Sequence, residues 1–312
     1  MTNLKSEYKY CAFIDVLGYG SIVTTIDKST EKKIEMLNSI FKNLQTTIST
    51  LLKLLKEKHD NKRELYVKSF SDSVFFQSDD SYTILFSLYN IFSTTFGYYT
   101  NFSYEEHCTV LLRAGVVKDW TLKIMDIGSL ARNEIKKMPE NEEFQNPIGL
   151  GVARAYFTSE KSGLSGMRVL ISPEVLEGLN LIPFTEVSFE CYFIEGENLL
   201  FSNKIPNDIQ KVKIFFMPVR QNERGDIVNL YELCWPVYKY SWSENKTDID
   251  VFVAELLKIE PEYKIENVRH LKRTAELLLK SFEIALAINP NAYTAKQIKY
   301  ARENMKLIVE KK

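Results

Sequence analysis

Histidine is nearly absent from this sequence: 312 residues carry three, His59, His107 and His270. Cysteine is scarce too. Cys11, Cys108, Cys191 and Cys234 stand far apart, with no CxxC. No zinc site can be assembled from these spacings, and no Ser-His or Cys-His pattern suggests a protein nucleophile. The four cysteines are expected to be reduced, in core or half-buried positions of a cytoplasmic protein. Net charge is also missing: 40 Lys and Arg stand against 41 Asp and Glu, giving −1. Such a balance offers no footprint for nucleic acid or an anionic membrane. No apolar run approaches the roughly 18 residues of a spanning helix. The longest, YTILFSLYNIF, is broken by Ser87 and Asn90. The segment MTNLKSEYKY is polar and holds no signal-peptide core. A G-x-x-x-x-G-K-[ST] loop is absent, which excludes a P-loop NTPase. GLGVAR, at 149–154, imitates a dinucleotide-binding turn, but Arg154 stands where the third glycine belongs, and a polar loop is expected before it. SGLSG, at 162–166, lacks the nucleophile elbow.

What remains is a globular composition, 45% hydrophobic and 26% charged, with length for one large domain or two ordinary ones. Residues 9–17 read as a strand stopped by glycine. A long amphipathic helix over 29–58 follows, with Ile34, Leu37, Phe41, Leu44, Ile48, Leu51 and Leu55 at steps of three and four. Residues 64–70 and 73–77 read as a hairpin turning at Ser71-Asp72, and 81–100 as a second amphipathic helix. A strand is expected over 109–118, with a further one over 121–126. The polar stretch 136–147 reads as an exposed loop. A helix over 148–161, a strand over 168–172 and a helical turn over 173–179 follow. The order is that of an α+β sandwich of the ferredoxin type, a mixed, mainly antiparallel sheet with packed helices. Residues 187–241 are strand-rich and aromatic, and 249–258, 264–287 and 293–310 read as helices. The expected division is a catalytic domain at 1–185 and a C-terminal extension at 186–312 for packing or dimerisation.

Two carboxylates stand out. Asp15 lies bare in the apolar strand AFIDVLG, where an ionised group is costly unless something positive meets it. Asp72 sits at the hairpin tip, and in a sandwich of this kind the first strand and the hairpin are often neighbours. Two such hard carboxylates suit Mg²⁺ or Mn²⁺ with phosphate oxygens completing the shell. The alternative reading makes Asp72 a turn-former and Asp15 the ion-pair partner of Arg113.

AFIDVLGYG, followed by YVKSFSDSVFF, LLRAGVV and GLGVARAY, resembles the class III nucleotidyl cyclase domain, and within it the bacterial pyrimidine cyclases of Pycsar anti-phage systems. The resemblance covers about residues 8–180. It implies two divalent ions, Mn²⁺ or Mg²⁺, on Asp15 and Asp72 with the main chain of Val16. It implies a homodimer with active sites at the interface. Lys68 and Asn146 fall at the base-reading positions, a pair that matches neither adenine nor guanine recognition. The transition-state asparagine and arginine of purine cyclases are replaced by Ala153 and Phe157. Arg113 and the nearby Arg154 are therefore the candidates for neutralising phosphate charge. The implied reaction turns UTP, or else CTP, into its 3′,5′-cyclic monophosphate and pyrophosphate, a signal to a separate effector in antiviral defence. A purine cyclase and an inactive nucleotide sensor remain the alternatives.

Overall fold

In strand β1 (Glu7–Leu17), both faces are covered. Ala12, Ile14 and Val16 are buried in one apolar cluster, Cys11 in another. A strand so placed needs neighbours on both edges and helices on both sides, and the computed structural model supplies them. It describes residues 7–17, 30–58, 65–70, 73–99, 111–125, 145–160, 166–197, 211–223, 226–237, 265–291 and 293–310.

After β1 come helix α1 (Thr30–Lys58), strands β2 (Tyr66–Phe70) and β3 (Ser73–Ser78), helix α2 (Ser81–Tyr99) and strand β4 (Leu111–Met125). They pair in the order β2-β3-β1-β4, all antiparallel. This is the ferredoxin-type arrangement expected from the sequence. Leu44, Ile48, Leu51 and Leu55 form the buried stripe of α1, as their spacing predicts, but Ile34, expected in the same stripe, is 52% exposed and Phe41 is half-buried, so the stripe is buried only in the later turns.

Helix α2 departs from the expectation of an amphipathic helix. Every side chain from Ser81 to Ser93 is buried, because later strands cover the face that was expected to meet water. Ser93 donates to the carbonyl of Trp235 at 3.0 Å. The polar residues inside it bond to their own helix: Ser87 Oγ to Thr83 O at 2.6 Å and Asn90 Nδ2 to Phe86 O at 2.7 Å. Asp80 caps the start, accepting from the Thr83 amide at 2.9 Å.

Strand β4 also departs. It runs unbroken where two strands were expected, since β1 pairs along it as far as Thr121. Its far end then pairs with strand β5 (Gln145–Ile148). The expected loop over 136–147 is thus a strand in its last residues; the open edge of β4 outweighs the polar composition. Residues 136–144 lie outside the described residues. Gly149, with φ +124°, turns β5 into helix α3 (Leu150–Glu160), and the Trp120 ring lies within 2.7 Å of where a Cβ would be. A strand therefore does precede GLGVAR, contrary to expectation, but it is antiparallel to β4, not part of a parallel dinucleotide-binding unit.

Strand β6 (Val169–Ile171) lies parallel to β4, and helix α4 (Pro173–Leu176) follows it. Strands β7 (Ile182–Pro183), β8 (Tyr192–Glu197), β9 (Lys211–Glu223) and β10 (Asp226–Leu233) extend the same sheet in the order β6-β10-β9-β8-β7. Residues on either side of the expected 185/186 boundary thus share one sheet and one apolar core. Helix α5 (Ile265–Ile288) buries Ala275, Leu277, Leu278 and Phe282 in that core, and helix α6 (Ala295–Glu310) packs on α5 through Ala301 and an Arg302–Glu283 pair at 2.6 Å. The helix expected over 249–258 lies outside the described residues. Among the described residues, no helix is long and apolar enough to cross a membrane.

Backbone contact welds α3 to β4 at one glycine. A Cβ on Gly115 would stand 2.2 Å from the Ala155 carbonyl oxygen and 2.6 Å from the Ser159 nitrogen. Neither is the end of a flexible side chain, so the helix itself would have to move. Gly115→Ala is expected to cost about 3 kcal/mol of stability, the upper part of the usual overpacking range, read as a lower urea midpoint at unchanged slope.

Candidate active site

The costly carboxylate in β1 is met by an arginine. Register places Asp15 opposite Ser73 on β3 and Arg113 on β4. Arg113 donates to Asp15 Oδ2 from Nε at 2.8 Å, and its Nη2 lies 2.7 Å from the same oxygen. Ser73 Oγ donates to Oδ1 at 3.1 Å. The side chains of Asp15 and Arg113 are 13% and 18% exposed, so the pair is mostly withdrawn from water yet still within reach of a ligand. The ion pair weighed as the alternative from sequence is therefore present.

Asp72 lies outside the described residues, as do Cys108, His59 and His107. Its neighbour Ser73 is the residue bonded to Asp15, so the chain enters the site one position after Asp72. Among the described residues, no group of three or more His, Cys, Asp or Glu is gathered as a metal cluster. The donor set at this point of the sheet, an oxygen carboxylate beside the Val16 main chain and a serine hydroxyl, is of the hard kind that Mg²⁺ and Mn²⁺ take.

The other sequence candidates are spread over the sheet. Arg154, on α3, bonds Asp119 at 2.6 Å through Nη1 and also pairs with Glu174. Partial burial pulls its pKa down, but the bonds to Asp119 and Glu174 outweigh that and leave it above the ordinary arginine value. Asp119 is six residues beyond Arg113 on β4, about 20 Å at the usual strand rise. One chain therefore does not bring Arg154 to its own Asp15. Arg154 shares an outward helical face with two exposed apolar residues, Leu150 and Phe157. Ala153, where an asparagine was sought, is half-buried. Lys68 is a half-buried residue of β2, paired in register with Phe75. Asn146 is on β5 opposite Ile124. Through Phe75 and Phe13, Lys68 is level with Gly115, nine residues from Ile124 along β4, so these two also stand at separate levels of the sheet.

Among the described residues, no cysteine side chain contacts Asp15, Arg113 or Ser73. Burial pushes the Cys11 thiol up to about 12, with the Asp119 charge adding to the shift. Burial likewise raises Cys234 well above its ordinary value, with Cys191 beside it. Neither is a nucleophile near neutral pH.

The sequence reading missed a second charge pair. Arg168, just before β6, pairs bidentately with Glu232 on β10, and both side chains are nearly fully buried. The signal was the one that marked Asp15: a lone charge in an apolar run, here MRVLI and LYELCW.

Neither a family model nor a curated protein matches the chain. Solved structures similar to it include the catalytic core of a rhodopsin-guanylyl cyclase with converted specificity, in complex with ATPalphaS. That one has 12% identity and a TM-score of 0.40, over 75% of this chain and 98% of that one. The guanylyl cyclase Cya2 has 11% identity and a TM-score of 0.43, over 74% and 93%. The adenylyl cyclase CyaB from P. aeruginosa has 11% and 0.35, over 74% and 96%. Overlap at this level leaves the reading of function to the residues themselves.

Proposed function

We propose that this chain is a nucleotidyl cyclase that closes a nucleoside triphosphate, UTP before CTP, to its 3′,5′-cyclic monophosphate. The observation that carries the reading is Asp15: an inward carboxylate at the meeting of β1, β3 and β4, bonded to Arg113 and to Ser73, the residue that follows Asp72 in the chain. The order of motifs AFIDVLG, SFSDS, LLRAG and GLGVARAY supports it.

In this reading Asp15, Asp72 and the Val16 main chain hold the divalent ions. When bound, these ions would lower the pKa of the ribose 3′-hydroxyl and neutralise the triphosphate. Arg113 then turns from Asp15 towards phosphate oxygens, for which its planar fork is suited. The 3′-oxygen attacks the α-phosphorus in line, and pyrophosphate leaves. Lys68 and Asn146 are the candidate base-reading positions.

The distance between Arg154 and Asp15 supports a homodimer. If Arg154 acts on phosphate, it acts in the partner's site, and the exposed Leu150 and Phe157 beside it give that face something to bury. The cyclic product would be a signal read by a separate effector in antiviral defence. A nucleotide sensor without turnover is the second reading, favoured by Ala153 and Phe157 at the positions where purine cyclases carry asparagine and arginine.

Incubation with each of the four ribonucleoside triphosphates and Mn²⁺, with products resolved by mass, tests the reading. One cyclic pyrimidine product that disappears on chelation is expected. A cyclic purine would keep the chemistry and overturn the base preference. No product, with saturable triphosphate binding retained, would leave the sensor.

A further inference from the structure

A cavity of about 250 Å³ lies where β9, β10 and the residue before β6 meet α5. Among the described residues six charged ones line it: Arg168, Arg220, Arg273 and Lys280 against Glu232 and Glu276. The carboxylates are already used. Glu232 is paired with Arg168, and Glu276 Oε2 lies 2.7 Å from Arg273 Nη1. That leaves two surplus cations. Among the described residues neither Arg220 nor Lys280 has an acidic partner; the Lys280 ammonium lies 5.7 Å from the centre of the Phe189 ring.

Cations converging on a concave wall repel one another, and low-dielectric surroundings strengthen that field. An anion entering the cavity would relieve it. Size restricts which anion: the cavity falls below the roughly 300–1,000 Å³ of sites that enclose drug-sized ligands. A free phosphate or pyrophosphate fits it, and arginine forks match phosphate oxygens bidentately.

We propose that this cavity binds a small phosphoryl anion, orthophosphate or pyrophosphate, at a site separate from Asp15. Arg220 and Lys280 contribute the free charge. The Arg168–Glu232 pair forms the buried floor. The inference does not depend on what reaction occurs at Asp15.

The test is calorimetric titration of the 312-residue chain with orthophosphate and with pyrophosphate, in EDTA and at fixed ionic strength. Saturable binding of at least one of them near one equivalent per chain is expected. Arg220→Ala and Lys280→Ala, both at exposed side chains, should each weaken it about tenfold or more, as loss of a charge-assisted bond does. Asp15→Asn should bind as the unsubstituted protein does. No saturation with either anion in the millimolar range would overturn the proposal. So would affinity unchanged in both alanine variants, or binding lost in Asp15→Asn, which would place the anion at the other site.

Discussion

Asp15→Asn is expected to lower cyclic nucleotide formation by about 10³-fold or more while leaving the fold in place. The amide keeps the shape of the side chain and an oxygen for Arg113 and Ser73 to bond, but loses the charge that a divalent ion requires. Metal-assisted charge stabilisation is worth several kcal/mol, and each 1.36 kcal/mol is about tenfold in rate. Arg113→Ala should also lose activity, but with a stability cost, because it leaves a mostly buried carboxylate without its arginine. The two variants together separate chemistry from scaffolding. If Asp15 serves only as the partner of Arg113, Asp15→Asn will be destabilised yet form product at the ordinary rate, measured at saturating triphosphate and Mn²⁺. That result would end the metal-site reading.

The second large effect is far from Asp15 in sequence. Glu232→Ala should cost about 3–5 kcal/mol, because it strands the Arg168 guanidinium in the interior. For a chain of this size that is a fall of about 5–8 °C in Tm. Arg168→Met with Glu232→Leu should recover most of the loss, since a buried pair exchanged for apolar side chains of similar volume is close to neutral. Urea unfolding of the two single variants and the double decides it. Single variants within about 0.5 kcal/mol of the parent would overturn the prediction.

How much of this was legible depended on how local the signal was. The α1 stripe from Leu44 to Leu55, the two hairpin strands and β1 are set by side-chain period within one segment, and they stand where expected. The neighbourhood of β1 and β3 followed from topology; the bond from Ser73 to Asp15 did not. Three features escaped, each depending on a partner distant in sequence. β5 is polar and becomes a strand only because β4 overruns the sheet and offers an edge. Helix α2 looks amphipathic until β8 and the chain after β10 close over it. Arg168 and Glu232 each announce a buried charge, but nothing within either segment names the other, 64 residues away. The candidate site divides similarly: Asp15 and Arg113 come together, whereas Arg154, Lys68 and Asn146 are motif matches that one folded chain leaves apart.

The two charge pairs stand almost back to back. Ala114 on β4 is level with Val169 on β6, so Arg113 is level with Arg168, and their carboxylates lie one strand further out on either side. A strand shifted by one residue turns every side chain to the opposite face. An apolar strand can absorb that error, because valine and isoleucine are at home in either cluster. Arg113 and Asp15 cannot, since the slip would drive one charge of each pair into hydrocarbon and leave its partner behind. The pairs thus act as a check on assembly: of the ways in which four apolar strands can be laid side by side, they reject all but those that bring acid to base.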